Sequence, residues 1–491
     1  LNRKTRRDCN SSLSPEEFAV FYEKQMTDPK VDLSKEQHKV EEYVSNYFRE
    51  NNGKTGEVII SKETIANLIT SLDGTCAPGS DGITPEHLTW GKSDILCEHF
   101  ASMFSAMLSN STVPSSFYEG VIIPILKKST LDPNDPGNYR PITLSTTLSK
   151  LVERLMVPED NINESQFGFR SQRGTSFGCS LLHDVAAYCK AKNSPLFVCS
   201  LDAEKCFDRI WHQGLFYKLQ AVLPAAHWVF LYKWYCGLRA SVRWKQQYSS
   251  HFKVTRGTRQ GSVLSPTFFN IFLNDILILL DNANDGVYIG ANKYNSFAYA
   301  DDLTLFSTSA TGMQRLINIC KSYANTWRFS FGASKTQLMC TDLKVFQHAP
   351  SIFLGHHKLK YVNEIKILGI TYSRSGSYDQ HVQNRISAAR RSMYKYSDKG
   401  WSYPGVSSGV KSYMWNSTGV PSLTFGLDCV SLSKQNFQQL ESAQGTMIKN
   451  SLGLCRLKIQ GGHYCRKLGF GKASFFDSCG QKTICIFFYV I

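Results

Sequence analysis

The stretch Phe297-Ala298-Tyr299-Ala300-Asp301-Asp302-Leu303-Thr304-Leu305-Phe306 constrains this chain more than any other. Two short apolar runs flank two adjacent carboxylates. That pattern predicts a tight hairpin with Asp301-Asp302 as its two-residue centre. Neighbouring carboxylates repel each other, and apolar strands strip part of their hydration, so the pair costs free energy unless a cation offsets it. Magnesium suits such a pair because it takes hard oxygen ligands and keeps waters for substrate phosphates. Taken alone, Asp301-Asp302 reads more readily as a solvated turn than as a metal site.

A third carboxylate changes the balance. Residues 195–201 form a buried-strand run that ends at Asp202. If that strand end met the hairpin, three aspartates could hold two metal ions roughly 3.5–4 Å apart, a spacing that activates a hydroxyl nucleophile and stabilises a leaving oxygen.

The rest of the chain is organised around this region. Residues 1–55 are polar, with little patterning beyond Phe18 to Phe48, and read as a helical or partly disordered lead-in. Ala77 to Gly82 is a turn cluster. Val121 to Leu126 is a strand that runs into Lys127-Lys128. Met313, Leu316, Ile317, Cys320, Tyr323, Ala324 and Trp327 recur at helical spacing and predict one buried helix face. Beyond residue 380 the chain turns helical. Val382, Ile386, Ala389, Met393 and Tyr396 make an apolar stripe, and Arg391, Lys395 and Lys399 a basic one.

Lys plus Arg total 55 and Asp plus Glu total 40, a formal charge of +15 that favours polyanionic partners such as nucleic acid. The 15 cysteines are scattered without a framework, as reduced intracellular thiols are. Cys455, His463, Cys465 and Cys479 lack regular zinc-ligand spacing. The basic start Arg3-Lys4-Thr5-Arg6-Arg7 is followed by no apolar segment. No run reaches the ~18 apolar residues of a spanning helix, so no membrane partner is expected. The first residue is Leu1 rather than Met, which leaves room for an upstream segment.

Eight signatures, in order and counting the two already described, resemble the reverse transcriptases of non-LTR (LINE-type) retrotransposons. They are Ala77-Pro78-Gly79-Ser80-Asp81-Gly82-Ile83-Thr84; Asn138-Tyr139-Arg140-Pro141-Ile142-Thr143-Leu144; and Gln166 to Arg170 followed by Arg173-Gly174-Thr175-Ser176. Next come Leu201-Asp202-Ala203-Glu204-Lys205-Cys206-Phe207-Asp208 and Gly257 to Pro266 around Arg259-Gln260-Gly261. Tyr299-Ala300-Asp301-Asp302, Lys335-Thr336 and Leu368-Gly369 complete the series. The likeness runs from about residue 76 to about 455 and continues, less specifically, through Thr424–Asp428 and Leu440–Gln444.

The resemblance implies an α+β right-hand polymerase. The lead-in would be 1–55, and the fingers with the start of the palm 56–195. The palm, an antiparallel sheet backed by helices, would be 196–375, the helical thumb 376–455 and a tail 456–491. Asp202, Asp301 and Asp302 would hold two Mg²⁺ ions, with Mn²⁺ able to substitute. Lys335 would act near the leaving group as general acid. Lys127, Lys128 and Arg140 would neutralise the triphosphate, and Ala203 would offer it a backbone group. Phe207 would be an aromatic gate against the 2′-hydroxyl, and Gln260 with Gly261 would line the nucleotide pocket. Arg170, Arg173, Arg391, Lys395 and Lys399 would grip nucleic acid. The implied partners are an RNA template, a DNA primer or target, and deoxynucleoside triphosphates. The implied location is the nucleus and cytoplasm.

Elements of this type usually carry an upstream endonuclease, for which this sequence shows no match. The sequence also departs from the family at Ser80, where Pro is common, and at Phe331-Gly332-Ala333-Ser334, where Asn-Pro is frequent. Three other readings stay open. The spacing of Asp202 and Asp208 suits an RNA-dependent RNA polymerase. The palm signatures are shared with group II intron maturases. A decayed element copy would keep the charge and bind nucleic acid without catalysis.

Overall fold

The computed structural model describes residues 11–453 apart from 30–31, 75, 159–161, 205, 343–349 and 404. Expectations for Arg3–Arg7, for Lys205, for Cys455, His463, Cys465 and Cys479, and for the tail 456–491 lie outside the described residues. The fold mixes helix and sheet and divides into two compact units. One comprises Leu1–Phe169, Asp202–Asn282 and Asn318–Gly332, the other Arg170–Leu201, Ala283–Ile317 and Ala333–Ile491.

In the first unit, the lead-in is helical. Helices Pro15–Met26 and Lys35–Asn51 each open on a serine cap, Ser14 and Ser34, whose side chain and N3 partner satisfy each other's backbone donors. The sheet centres on the strand Glu119–Leu126, which starts two residues earlier than the sequence suggests. It pairs antiparallel with Tyr139–Leu144 and parallel with Arg239–Trp244. Helix Ser265–Asn282 is apolar almost all round. It is tied to its neighbours by Lys218, whose buried Nζ donates to Asp275 Oδ2 and to the Tyr323 hydroxyl, each at 2.6 Å. The same ammonium lies 3.9 Å from the Trp327 ring centroid.

In the second unit, a four-stranded sheet runs in the order Gln337–Cys340, Phe197–Asp202, Asp302–Ser307, Ser296–Tyr299. Phe197, Val198, Cys199 and Leu201 are all buried, as befits a strand covered on both faces. Helix Thr175–Ala191 approaches the hairpin closely at Gly178, where a Cβ would stand 2.7 Å from the Phe297 ring. The face anticipated on helix Ala310–Thr326 is buried from Met313 to Ala324, and Trp327 follows the last helical turn, half-buried.

The hairpin itself corrects the expected centre by one residue. Asp302 pairs with Tyr299, so the two-residue loop is Ala300-Asp301, and Asp302 opens the returning strand. Ala300 takes up the left-handed conformation of the turn, at φ 55°.

The C-terminal helices Asp379–Tyr394 and Lys434–Ser451 bury Val382, Ile386, Ala389 and Met393 against Trp415, Leu423, Leu440 and Met447. The basic stripe does not lie on one helix. Arg391 is helical, Lys395 is the helix cap, and Lys399 belongs to a separate 3-10 turn closed by Gly400 at φ 110°. All three are exposed.

His381 is fully buried in the first of these helices, and its Nδ1 accepts the Thr371 N–H. Burial, then the Arg385 guanidinium, lowers its pKa from 6.5 to about 4. A depressed histidine pKa leaves the unfolded chain binding more protons as pH falls, so its contribution to stability is lost between about 6.5 and 4. Melting curves at pH 6.5 and 4.5 should therefore differ by several degrees less for His381→Gln than for the native chain. An equal pH dependence in both would contradict this.

Candidate active site

The strand Phe197–Asp202 lies between Gln337–Cys340 and Asp302–Ser307 in the sheet order. In that order the strand ending on Asp202 has as its neighbour the strand that opens on Asp302, with Asp301 in the turn before it. Asp202 and Asp301 are half-buried and Asp302 is exposed. All three offer hard anionic oxygens, the donor type a divalent ion such as Mg²⁺ requires. Among the described residues, no three His, Cys, Asp or Glu side chains are gathered into a metal-holding group.

The backbone around Asp202 is held by the segment that departs from the family pattern. The Gly332 N–H donates to the Asp202 carbonyl at 2.8 Å, and the Glu204 N–H donates to the Ser330 carbonyl at 2.9 Å. These flanking bonds form a bridge between Ala203 and Phe331 that does not consume Ala203's own amide. A Cβ at position 332 would lie 3.1 Å from Glu204 and 3.6 Å from Asp202 Oδ2. Gly332 thus leaves room chiefly for the Glu204 side chain, beside the Asp202 carboxylate, a role the sequence alone does not show.

Phe207 and Gln260 are brought together. The Phe207 ring stacks on Phe269, with centroids 4.3 Å apart and planes 12° apart, and meets Phe169 edge-on at 6.0 Å. Its carbonyl accepts the Thr258 N–H, and the Ile210 carbonyl accepts the Gly257 N–H, each at 2.7 Å. Gln260 Nε2 donates to Asp208 Oδ1 at 2.7 Å. The Gln260 carbonyl accepts the Thr143 N–H at 2.7 Å. Arg259 pins the loop from behind. Its guanidinium donates to the Phe117 carbonyl at 3.2 Å and lies 5.1 Å from the Trp234 ring centroid. Burial pulls the Arg259 pKa down, and Glu153 pushes it back up. Glu153 itself is buried and accepts the Val263 N–H at 2.7 Å.

Two glycines permit these approaches. Gly257 has φ 84°, and a Cβ there would come 2.7 Å from the Asp208 backbone. Gly261 has φ 114°, and a Cβ would come 2.8 Å from the Thr143 carbonyl oxygen. Gly257→Ala combines backbone strain with a clash against main chain, so it should cost about 2–4 kcal/mol by urea unfolding. An unchanged unfolding midpoint would show that the loop is not held as described.

The other anticipated residues fall around these cores. In the first unit, Lys127 and Lys128 follow the central strand and are exposed, and Lys127 Nζ donates to the Gly137 carbonyl at 2.8 Å. Arg140 is exposed on the partner strand, opposite Ile125. In the second unit, Lys335 sits in an exposed turn just before Gln337–Cys340. Arg170 and Arg173 form a half-buried turn ahead of helix Thr175–Ala191, joined by an Arg173 N–H to Arg170 carbonyl bond of 3.3 Å.

Residues 125–372, half of the chain, match the family described as reverse transcriptase (RNA-dependent DNA polymerase). The chain belongs to the reverse transcriptase family. That family has a right-hand polymerase fold and uses divalent metal ions. All three aspartates, Phe207 and Gln260 lie inside the matched span.

Among curated proteins, the chain is 27% identical over 350 residues to the RNA-directed DNA polymerase from mobile element jockey of Drosophila funebris, covering 68% of this chain and 37% of that protein. Its counterpart in Drosophila melanogaster is 24% identical over 465 residues, or 91% and 49% of the two chains. The Pol polyprotein of retrotransposable element R2DM, also from Drosophila melanogaster, is 26% identical over 349 residues, or 66% and 32%. These relatives belong to non-LTR mobile elements. The chain spans half or less of the length of these relatives. Among the described residues, no helix is long and apolar enough to cross a membrane.

Proposed function

We propose that this reverse transcriptase family member copies an RNA template into DNA, adding deoxynucleoside triphosphates to a primer 3′-hydroxyl and releasing pyrophosphate. The observation that carries the reading is the sheet that sets a strand ending on Asp202 beside the hairpin of Asp301 and Asp302, inside the span matching the family. Asp202, Asp301 and Asp302 would hold two Mg²⁺ ions, with Mn²⁺ able to substitute. Bound there, the ions lower the pKa of the attacking hydroxyl and neutralise the triphosphate.

The chain's own residues do the rest. Lys127, Lys128 and Arg140 offer cationic donors to the triphosphate. Ala203 offers its backbone amide. Lys335 protonates the departing pyrophosphate. Phe207, braced by Phe269, fills the space a 2′-hydroxyl needs. Gln260 and Gly261 line the sugar side of the pocket. Arg170, Arg173, Arg391, Lys395 and Lys399 contact the template–primer backbone. In this reading the fingers, an antiparallel palm and a helical thumb succeed one another along 56–455. The primer is nicked target DNA and the setting is the nucleus and cytoplasm of the host cell. Retrotransposition by target-primed synthesis is the process served.

The test offers a DNA primer annealed to RNA with deoxynucleotides or ribonucleotides in parallel. Preferential deoxynucleotide incorporation supports the reading, and equal use of both favours an RNA polymerase.

A further inference from the structure

A cavity of about 500 Å³ lies in the second unit, and every residue lining it belongs to that unit. Helix Thr175–Ala191 supplies one wall. Leu182 and Ala186 line it one helical turn apart, with Ala187 beside them. Two alanines in a row are too small to fill the space against Leu196, Val198 and Met339, which are all buried. The chain from Tyr372 to Tyr378, which leads into helix Asp379–Tyr394, forms a further wall. Leu196 stands just before the strand Phe197–Asp202, so the cavity sits at the end of that strand roughly 20 Å from Asp202.

The polar ends of both tyrosines are engaged by the protein. The Tyr372 hydroxyl donates to the Cys179 carbonyl at 3.0 Å, and the Tyr378 hydroxyl lies 2.7 Å from His183 Nδ1. His183 Nε2 lies 3.1 Å from Ser431 Oγ. Burial lowers the His183 pKa against the pull of Asp184, so the ring is neutral at pH 7. Charge gathers at the mouth instead, where Lys190, Asn193, Ser375 and Gly376 are exposed. A Cβ at Gly376 would stand 3.3 Å from Lys190 Nζ, so the ammonium lies against bare main chain. Among the described residues, Lys190 makes no ion pair. Arg374 and Asp342 also line the cavity, both half-buried. Two cations and one carboxylate leave the lining with a net charge of +1.

Small-molecule sites are typically concave spaces of about 300–1,000 Å³ with mostly apolar walls and a few placed polar groups. We propose that this cavity binds a small organic monoanion, with an apolar body held against Leu196, Val198 and Met339 and a single carboxylate or sulfonate at Lys190. One excess positive charge matches one negative group. A nucleoside triphosphate carries several, and a nucleic-acid strand needs cations along its whole track, so the lining suits neither. The site is separate from the polymerase chemistry and does not depend on that reading.

The probe is anilinonaphthalene sulfonate, followed by its fluorescence and by the melting temperature of the chain. Phenylnaphthylamine provides a similar body without the charge. Saturable binding of the sulfonate should raise the melting temperature, as a ligand of the native state does. Lys190→Glu alters only the exposed rim. It should weaken the sulfonate at least about tenfold, the effect of losing one hydrogen bond between charged partners, and leave the uncharged amine unchanged. Ala186→Phe fills the cavity and should weaken both. Octanoate should displace the Lys190-dependent dye, whereas ATP and a short single-stranded RNA should not. Equal affinity of the wild type and Lys190→Glu for the sulfonate overturns the proposal, whether or not Ala186→Phe folds. So does undiminished binding by a folded Ala186→Phe chain. Displacement by RNA but not by octanoate would assign the cavity to nucleic acid and overturn it as well.

Discussion

Phe207→Ala should raise the use of ribonucleotides relative to deoxynucleotides by about a hundredfold, a change of roughly 2.7 kcal/mol in relative transition-state stability. The argument starts from the ring's setting. Phe207 stacks on Phe269 at 4.3 Å and nearly parallel, with Phe169 against its edge, so the ring cannot swing aside cheaply. A ring free to rotate would discriminate poorly, because it could yield to a 2′-hydroxyl. A braced ring rejects by steric clash, a repulsive device that specificity commonly uses. The measurement is the ratio of kcat/KM values for matched ribo- and deoxynucleotides. Because Phe207 is half-buried, truncation should also lower stability by about 2 kcal/mol, below the roughly 3–5 kcal/mol cost of removing a fully buried phenyl ring. Phe207→Leu keeps most of the packing and should relax selectivity less. Loss of stability with an unchanged ratio would mean that Phe207 is core and nothing more.

Asp202→Asn should lower primer extension by on the order of a thousandfold while leaving the fold intact. The substitution preserves size and replaces one anionic oxygen by an amide. The main-chain carbonyl of Asp202, which accepts the Gly332 N–H, is unchanged by the substitution. The carboxylate lies at the end of a strand in which Phe197, Val198, Cys199 and Leu201 are apolar and buried. Circular dichroism and melting should therefore stay close to wild type as activity collapses. A parallel fall in both would point to a structural task for the carboxylate.

Much of this was legible in the sequence, and the parts that were not have physical reasons. The alternation around Asp301 and Asp302 gave away a hairpin, and the apolar run before Asp202 gave away a buried strand. Both are local patterns. The register of the hairpin was misjudged by one residue because pairing of Asp302 with Tyr299 forces Ala300, a residue with no special preference for positive φ, into the turn. The basic stripe on Arg391, Lys395 and Lys399 assumed an unbroken helix. The helix stops after Tyr394, and the positive-φ Gly400 closes the turn beyond, so spacing alone overstated the regularity.

Asp208 and Gln260 are 52 residues apart, and no periodicity links them. Gly332 was noticed as a departure from the family pattern. Its contact with Glu204 and its nearness to the Asp202 carboxylate became visible only once the bridge between Ala203 and Phe331 was formed.

The most direct measurement is extension of a DNA primer along an RNA template in Mg²⁺ and deoxynucleotides, run with the wild-type chain beside Asp202→Asn. The expected result is template-length DNA from the wild type and at most traces from the variant. Equal extension by the two proteins, or none by a folded wild type, would contradict the account.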